Sequence, residues 1–130
     1  MAHWLLKTEP ESYGWSDLVR EGVTEWTGVR NHAAAAHLRA MAVGDRVLIY
    51  HSGAQKAVVG TAVVERGAQP DGAAPWVSVA VRAGDALARP VTLAAMKATP
   101  ALADMAMLRQ SRLSVSPIAP GEWDAILALA

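Results

Sequence analysis

The apolar positions change their spacing several times along the chain, and each change marks an element. His3-Trp4-Leu5-Leu6-Lys7-Thr8 is a short run with an apolar centre, closed by Glu9-Pro10. It predicts a buried strand, since proline cannot donate to a ladder. Ser16 as N-cap predicts a short helix through Asp17, Leu18 and Val19 that stops at Gly22. The segment around Trp26 reads as loop, with Gly28 allowing a turn. Asn31 caps a helix from Ala33 to about Met41. Three strands are expected at Arg46–His51, at Ala57–Glu65 with Gly60 as a bulge, and at Trp76–Arg82, where Val77, Val79 and Val81 share one face. Between the last two, Gln69 to Ala74 reads as a loop at most. Thr92 then caps a short helix through Met96, and a turn-rich segment covers Pro100 to Leu108. Leu113–Ser116 is the last strand, ended by Pro117, and Gly121–Leu129 closes as an amphipathic helix with Trp123, Ile126 and Leu127 on one face. Strands at turn intervals with short helices between them predict one α+β domain over residues 1–130, a small mixed β-barrel with peripheral helices.

Composition narrows the chemistry. Of the 52% hydrophobic residues, 27 are Ala, and there are five Trp and no Phe. Some of those indoles must fill the core. Trp4, Trp76 and Trp123 are assigned there, whereas Trp26, inside a polar segment, is assigned to function. Twelve basic residues balance twelve acidic ones, so the chain lacks the excess of Lys and Arg that drives non-specific wrapping of nucleic acid. Absence of Cys excludes disulfides, thiol nucleophiles and thiolate metal sites. The N-terminus has no basic-then-apolar leader and no apolar run is long enough for a membrane span, so a soluble, cytoplasmic monomer is expected.

Two polar segments stand out: Trp26-Thr27-Gly28-Val29-Arg30-Asn31 and Arg109-Gln110-Ser111-Arg112-Leu113-Ser114. Trp has the largest flat face for a planar ligand, Arg suits bidentate acceptors, and Asn presents a donor beside an acceptor. Together they suggest a pocket for a nucleobase-like group. The free N–H groups of the helix after Asn31, beside Arg30, suit an anion or ordinary capping equally. The Arg109–Arg112 run is either a polar mouth for phosphates or a solvated turn. His51-Ser52 at a strand end can meet a ligand or simply close a turn. Lys7 and Glu9, two apart on an extended segment, form either a proton-transfer pair or a salt bridge. His32 and His37 lie about 140° apart on a helix and have no carboxylate at ligand spacing, so no metal site is expected. No phosphate loop or nucleophile elbow is present, and no cofactor is implied.

Taken in order, these stretches resemble the EVE domain, a branch of the PUA-like superfamily. The matching residues are Trp4-Leu5-Leu6-Lys7-Thr8-Glu9-Pro10, the Trp26–Asn31 segment, Val47-Leu48-Ile49-Tyr50-His51-Ser52, Arg89-Pro90-Val91-Thr92-Leu93, Arg109–Val115 and the Trp123 helix. The Ala33–Ala36 run and Gly53-Ala54-Gln55 depart from the family pattern. The resemblance implies a PUA-like barrel and a non-catalytic reader of a modified base in DNA or RNA, chiefly a modified cytosine flipped into a pocket. It further implies Trp26 as stacking platform and Lys7, Glu9, Asn31, His51 and Ser52 around the base. Arg30, Arg109, Gln110, Ser111 and Arg112 would lie toward the nucleic-acid backbone. The alternative is a small hydrolase, similar to the ASCH branch of the superfamily, acting on a modified nucleoside through Lys7 and Glu9.

Overall fold

Leu5, Leu6, Val47, Leu48 and Ile49 are all inaccessible to solvent, which requires apolar layers on both faces of the strands that carry them. A computed structural model describing residues 1–130 shows how this is met. Six strands form one sheet: β1 (His3–Thr8), β2 (Val23–Trp26), β3 (Arg46–His51), β4 (Ala57–Pro70), β5 (Val77–Thr92) and β6 (Val115–Ile118). Their order is β2-β5-β4-β3-β1-β6, with β1 parallel to β3 and every other pair antiparallel. Trp4 and Leu6 of β1 face the same core as Val47 and Ile49 of β3, while Leu5 faces the other with Leu48 and Tyr50. The helices divide accordingly. α1 (Trp15–Glu21) and α2 (His32–Ala40) supply Leu18, Ala34 and Leu38 to the first core. The second takes Met96 from α3 (Leu93–Lys97), Met107 from α4 (Ala106–Arg109), and Trp123 and Ile126 from α5 (Pro120–Leu129). A 3₁₀ turn at Pro100–Leu102 adds Leu102 to the second core.

The sheet curls but does not close. Four register breaks between β4 and β5 bend that long hairpin. Trp26 of β2 and Val115 of β6, from opposite edges, then share the first core with no hydrogen-bonded ladder joining their strands. The expected barrel is therefore open along one seam. Gly60 lies between two of the breaks, and a Cβ there would sit 2.6 Å from three carbons of the Trp15 ring, so the bare backbone is what lets the indole lie down.

Several sequence expectations change. Val23–Trp26 is a strand rather than loop, with Thr24 and Trp26 turned inward and Val23 and Glu25 outward. β4 and β5 run well beyond the predicted ends because the two strands support each other along the bent hairpin. α1 is capped at Gly14, not Ser16: Asp17 Oδ2 accepts from the Gly14 N–H at 2.7 Å. β6 continues through Pro117, which an edge strand tolerates because one of its sides has no partner.

Candidate nucleic-acid interface

The open seam holds a cavity of about 480 Å³. Lys7 and Thr8 come from the end of β1, Thr24 to Trp26 from β2, Thr27 to Arg30 from the loop after it, and Ser114 from the position just before β6. Tyr13 completes the wall, its ring meeting the Trp26 ring edge-on at 6.0 Å and 90°. The Tyr13 hydroxyl donates to the Glu21 carboxylate, and burial followed by that bond raises its pKa. Thr8 Oγ1 donates to the Tyr13 carbonyl at 2.6 Å, which fixes the β1–α1 turn.

Trp26 is only 8% exposed. Its indole belongs to the apolar core and also lines the cavity, so the stacking platform that the resemblance implies is a buried wall and not a freely exposed ring. Lys7, beside the seam, donates from Nζ to the Ser111 carbonyl in the segment leading into β6 at 2.8 Å, and partial burial lowers its pKa. Glu25 Oε2 accepts from Ser78 Oγ at 3.0 Å, and the carboxylate is paired with Arg66. The Glu25 charge is thereby matched by Arg66, and the Arg30 charge by Asp71, which leaves Lys7 as the cavity cation without an acidic partner.

The loop after β2 is held from outside by the β4–β5 hairpin. Gly28 takes a φ of +82°, and its N–H donates to Asp71 Oδ2 at 2.9 Å. Arg30 Nη1 donates to the same oxygen at 3.0 Å and Nη2 to the Asp71 carbonyl at 3.3 Å. The Gly28 N–H first and Arg30 second hold the Asp71 carboxyl below the usual range. The Arg30 guanidinium also lies 5.7 Å from the centre of the Trp76 ring.

A second hollow of about 360 Å³ lies at the start of α2, lined by Asn31, Ala33 and the Arg109–Leu113 segment. The Arg109–Arg112 run and the helix N-terminus, 78 residues apart at their nearest named positions Asn31 and Arg109, thus form one concave surface. Asn31 Oδ1 accepts from the Ala34 N–H at 3.0 Å, which commits that oxygen to capping. Arg109 is paired with Asp104, whereas Arg112 is exposed and makes no ion pair.

Other predicted base contacts sit elsewhere. Glu9 lies beyond the end of β1, is exposed, and makes no ion pair with Lys7, because the strand stops at Thr8 and the Pro10 turn carries the chain away. His51 is buried against α1: Trp15 N–H donates to its Nε2 at 3.0 Å, so Nδ1 carries the proton and donates to Gln55 Oε1 at 2.7 Å. Ser52 Oγ donates to the Thr8 carbonyl at 3.3 Å. Neither His51 nor Ser52 lines the cavity. Trp4 and Trp123 are core residues as expected. Trp76 is not: it is half-buried on the hairpin, 4.9 Å from His32 with the rings tilted by 33°.

Sequence reasoning missed Tyr13, Thr24 and Asp71. Thr24 was legible from its two-residue spacing to Trp26 once that stretch is read as a strand. Asp71 carried no signal, since Pro-Asp-Gly is ordinary turn chemistry.

Comparison with known proteins gives one consistent picture. Residues 2–129 match the EVE domain family. Human thymocyte nuclear protein 1 is 30% identical across 98% of this chain and 73% of its own length. A Rhodopseudomonas palustris protein solved by NMR is 46% identical with a TM-score of 0.94, covering 99% of this chain and 92% of that one. The human THYN1 protein, crystallised with DNA containing 5-methylcytosine, is 28% identical with a TM-score of 0.90, covering 99% and 97%.

Proposed function

The chain belongs to the EVE domain family, and from that premise we propose that it is a non-catalytic reader of a modified base in DNA, a modified cytosine in the first instance. The observation that carries this is the cavity in the open seam, walled by Trp26 and Tyr13 and bordered by Lys7 and Arg30. It is supported by the relative crystallised with 5-methylcytosine DNA.

The cavity's size suits a single base with part of its sugar, so the target nucleotide leaves the stack to enter it. Unstacking costs a few kcal/mol, and an aromatic wall returns roughly 1–3 kcal/mol. Hydrogen bonds at about 0.5–1.5 kcal/mol each must supply the balance. The donors in place are Lys7 Nζ, the Arg30 guanidinium and the hydroxyls of Thr24, Thr27 and Ser114. Cytosine presents two acceptors, O2 and N3, that cationic donors satisfy. A methyl group against the Trp26 and Val29 side of the wall adds about 1 kcal/mol, a discrimination of about fivefold. The phosphates flanking the extruded base meet the second hollow, where Arg112, Gln110, Ser111 and the start of α2 supply donors.

The hydrolase alternative needs Lys7 and Glu9 as a proton-transfer pair; that Lys7 Nζ donates to the Ser111 carbonyl favours the non-catalytic reading. The test is a binding panel of oligonucleotides, DNA and RNA, identical but for one central base: cytosine, 5-methylcytosine or 5-hydroxymethylcytosine. Tighter binding to one modified DNA is expected. Equal affinity across the panel, or chemical change of the base detected by mass spectrometry, overturns the reading.

A further inference from the structure

We infer that Trp76, Arg39 and the wall they share form a second nucleotide subsite, which takes a nucleotide flanking the one held in the Trp26 cavity. The inference rests on the reading just given. A hollow of about 470 Å³, matching the 480 Å³ of the first cavity, lies between the tip of the β4–β5 hairpin and α2. Its wall is the Trp76 indole with Pro70, Ala74, Pro75 and Val77, and its one charged lining residue is Arg39. A flat apolar wall with a lone guanidinium at its border fits a base with a phosphate attached. It does not fit a cation or an acidic ligand without a planar group.

Two further observations connect this hollow to the first. Arg30 lines the Trp26 cavity and at the same time lies 5.7 Å from the Trp76 ring centre, so one guanidinium touches both indole-walled regions. His32 and Arg39 are seven residues apart on α2, two helical turns, and therefore share a face. That face meets the hairpin tip: His32 lies 4.9 Å from the Trp76 ring, and Arg39 Nη1 donates to the Pro75 carbonyl at 3.1 Å. The bond to Pro75 uses one of the guanidinium's five N–H groups and fixes its position, leaving the others to an incoming phosphate. A strand with one base in the first cavity would thus cross Arg30 and lay its neighbour against Trp76. None of the side chains lining this hollow is acidic, so nothing on its wall opposes a phosphate.

The test uses single-stranded DNA oligonucleotides with a central 5-methylcytosine, shortened one nucleotide at a time from either end, against the wild type, Trp76→Ala and Arg39→Gln. For the wild type, affinity should step up when the nucleotide that reaches Trp76 is restored on one side only. Trp76→Ala should abolish that step, a loss of about 5- to 150-fold corresponding to a base–aromatic stack. On the shortest oligomer all three proteins should bind alike. Arg39→Gln, an exposed substitution on the rim, should lose part of the same step and keeps the test decisive if Trp76→Ala disturbs the hairpin. A wild type with no step, or variants that lose affinity equally at every length, overturns the subsite while leaving the modified-base preference standing. A wild type that binds no oligomer of any length overturns both.

Discussion

The Asp71 carboxylate lies 3.0 Å from the Arg30 guanidinium across 41 residues of sequence, and the same oxygen accepts the Gly28 N–H. One side chain on a hairpin tip therefore sets the course of the loop that walls the Trp26 cavity. Asp71→Ala frees both donors. Modified-base affinity should fall several-fold with little change in melting temperature, as read by fluorescence polarisation and circular dichroism. The pH dependence follows from its lowered pKa: the contact is fully present above the ordinary carboxylate range and is lost as pH falls through the depressed value. Binding by the wild type should therefore weaken in acid toward that of Asp71→Ala.

Trp26 is both wall and core, which separates two substitutions that a rim residue would not. Trp26→Ala should cost about 3–5 kcal/mol of stability, the usual range for truncating a buried large aromatic. Trp26→Phe fills much of the space and should fold, but with less ring area facing the cavity. Its preference for 5-methylcytosine over cytosine should shrink while its unfolding midpoint moves far less than that of Trp26→Ala. A Trp26→Ala protein that melts like the wild type contradicts this burial.

Arg112 has no acidic partner, so its contribution should be read in salt rather than in base preference. Arg112→Gln should weaken binding to modified and plain oligonucleotides in equal proportion. The slope of log affinity against log salt concentration should fall by about 0.7–0.9, one phosphate contact. A titration series in sodium chloride measures this directly.

Asp45 is buried and accepts from Trp4 Nε1 at 3.0 Å, from the Ala2 N–H at 3.1 Å and from the Ala42 N–H at 2.9 Å. Asp45→Ala leaves these donors unmatched and should cost about 2–4 kcal/mol in chemical denaturation. Burial pushes the Asp45 pKa up, but the hydrogen bonds together outweigh it and the value is lowered. Its contribution is thus complete above the unfolded carboxylate range and disappears as pH drops through the folded value. The stability gap between wild type and Asp45→Ala should narrow in strong acid.

Much of this was legible in the residues themselves. β1, β3, the Asn31 cap of α2 and the Thr92 cap of α3 follow from local chemistry, and the structure keeps them where the sequence puts them. The polar segments at Trp26 and Arg109 do converge on the seam, because β2 and β6 lie at opposite edges of a curled sheet. What could not be read was long-range. His51 and Ser52 match a ligand pattern yet serve the backbone around Trp15 and Thr8, a partnership set by the parallel pairing of β1 and β3. Asp71 and Trp76 acquire meaning only when a bent hairpin brings its tip to α2, and of the register breaks that bend it only those beside Gly60 carry a signal in residue type.

The missing ladder between β2 and β6 has a mechanical side as well. Two strands with no shared amide bonds can separate or approach at small cost, checked only by the side chains between them. A guest seated there would touch both margins of the sheet and act as a clasp. Amide exchange along β2 and β6 should then slow on loading far more than along β3, which is already fastened on both flanks.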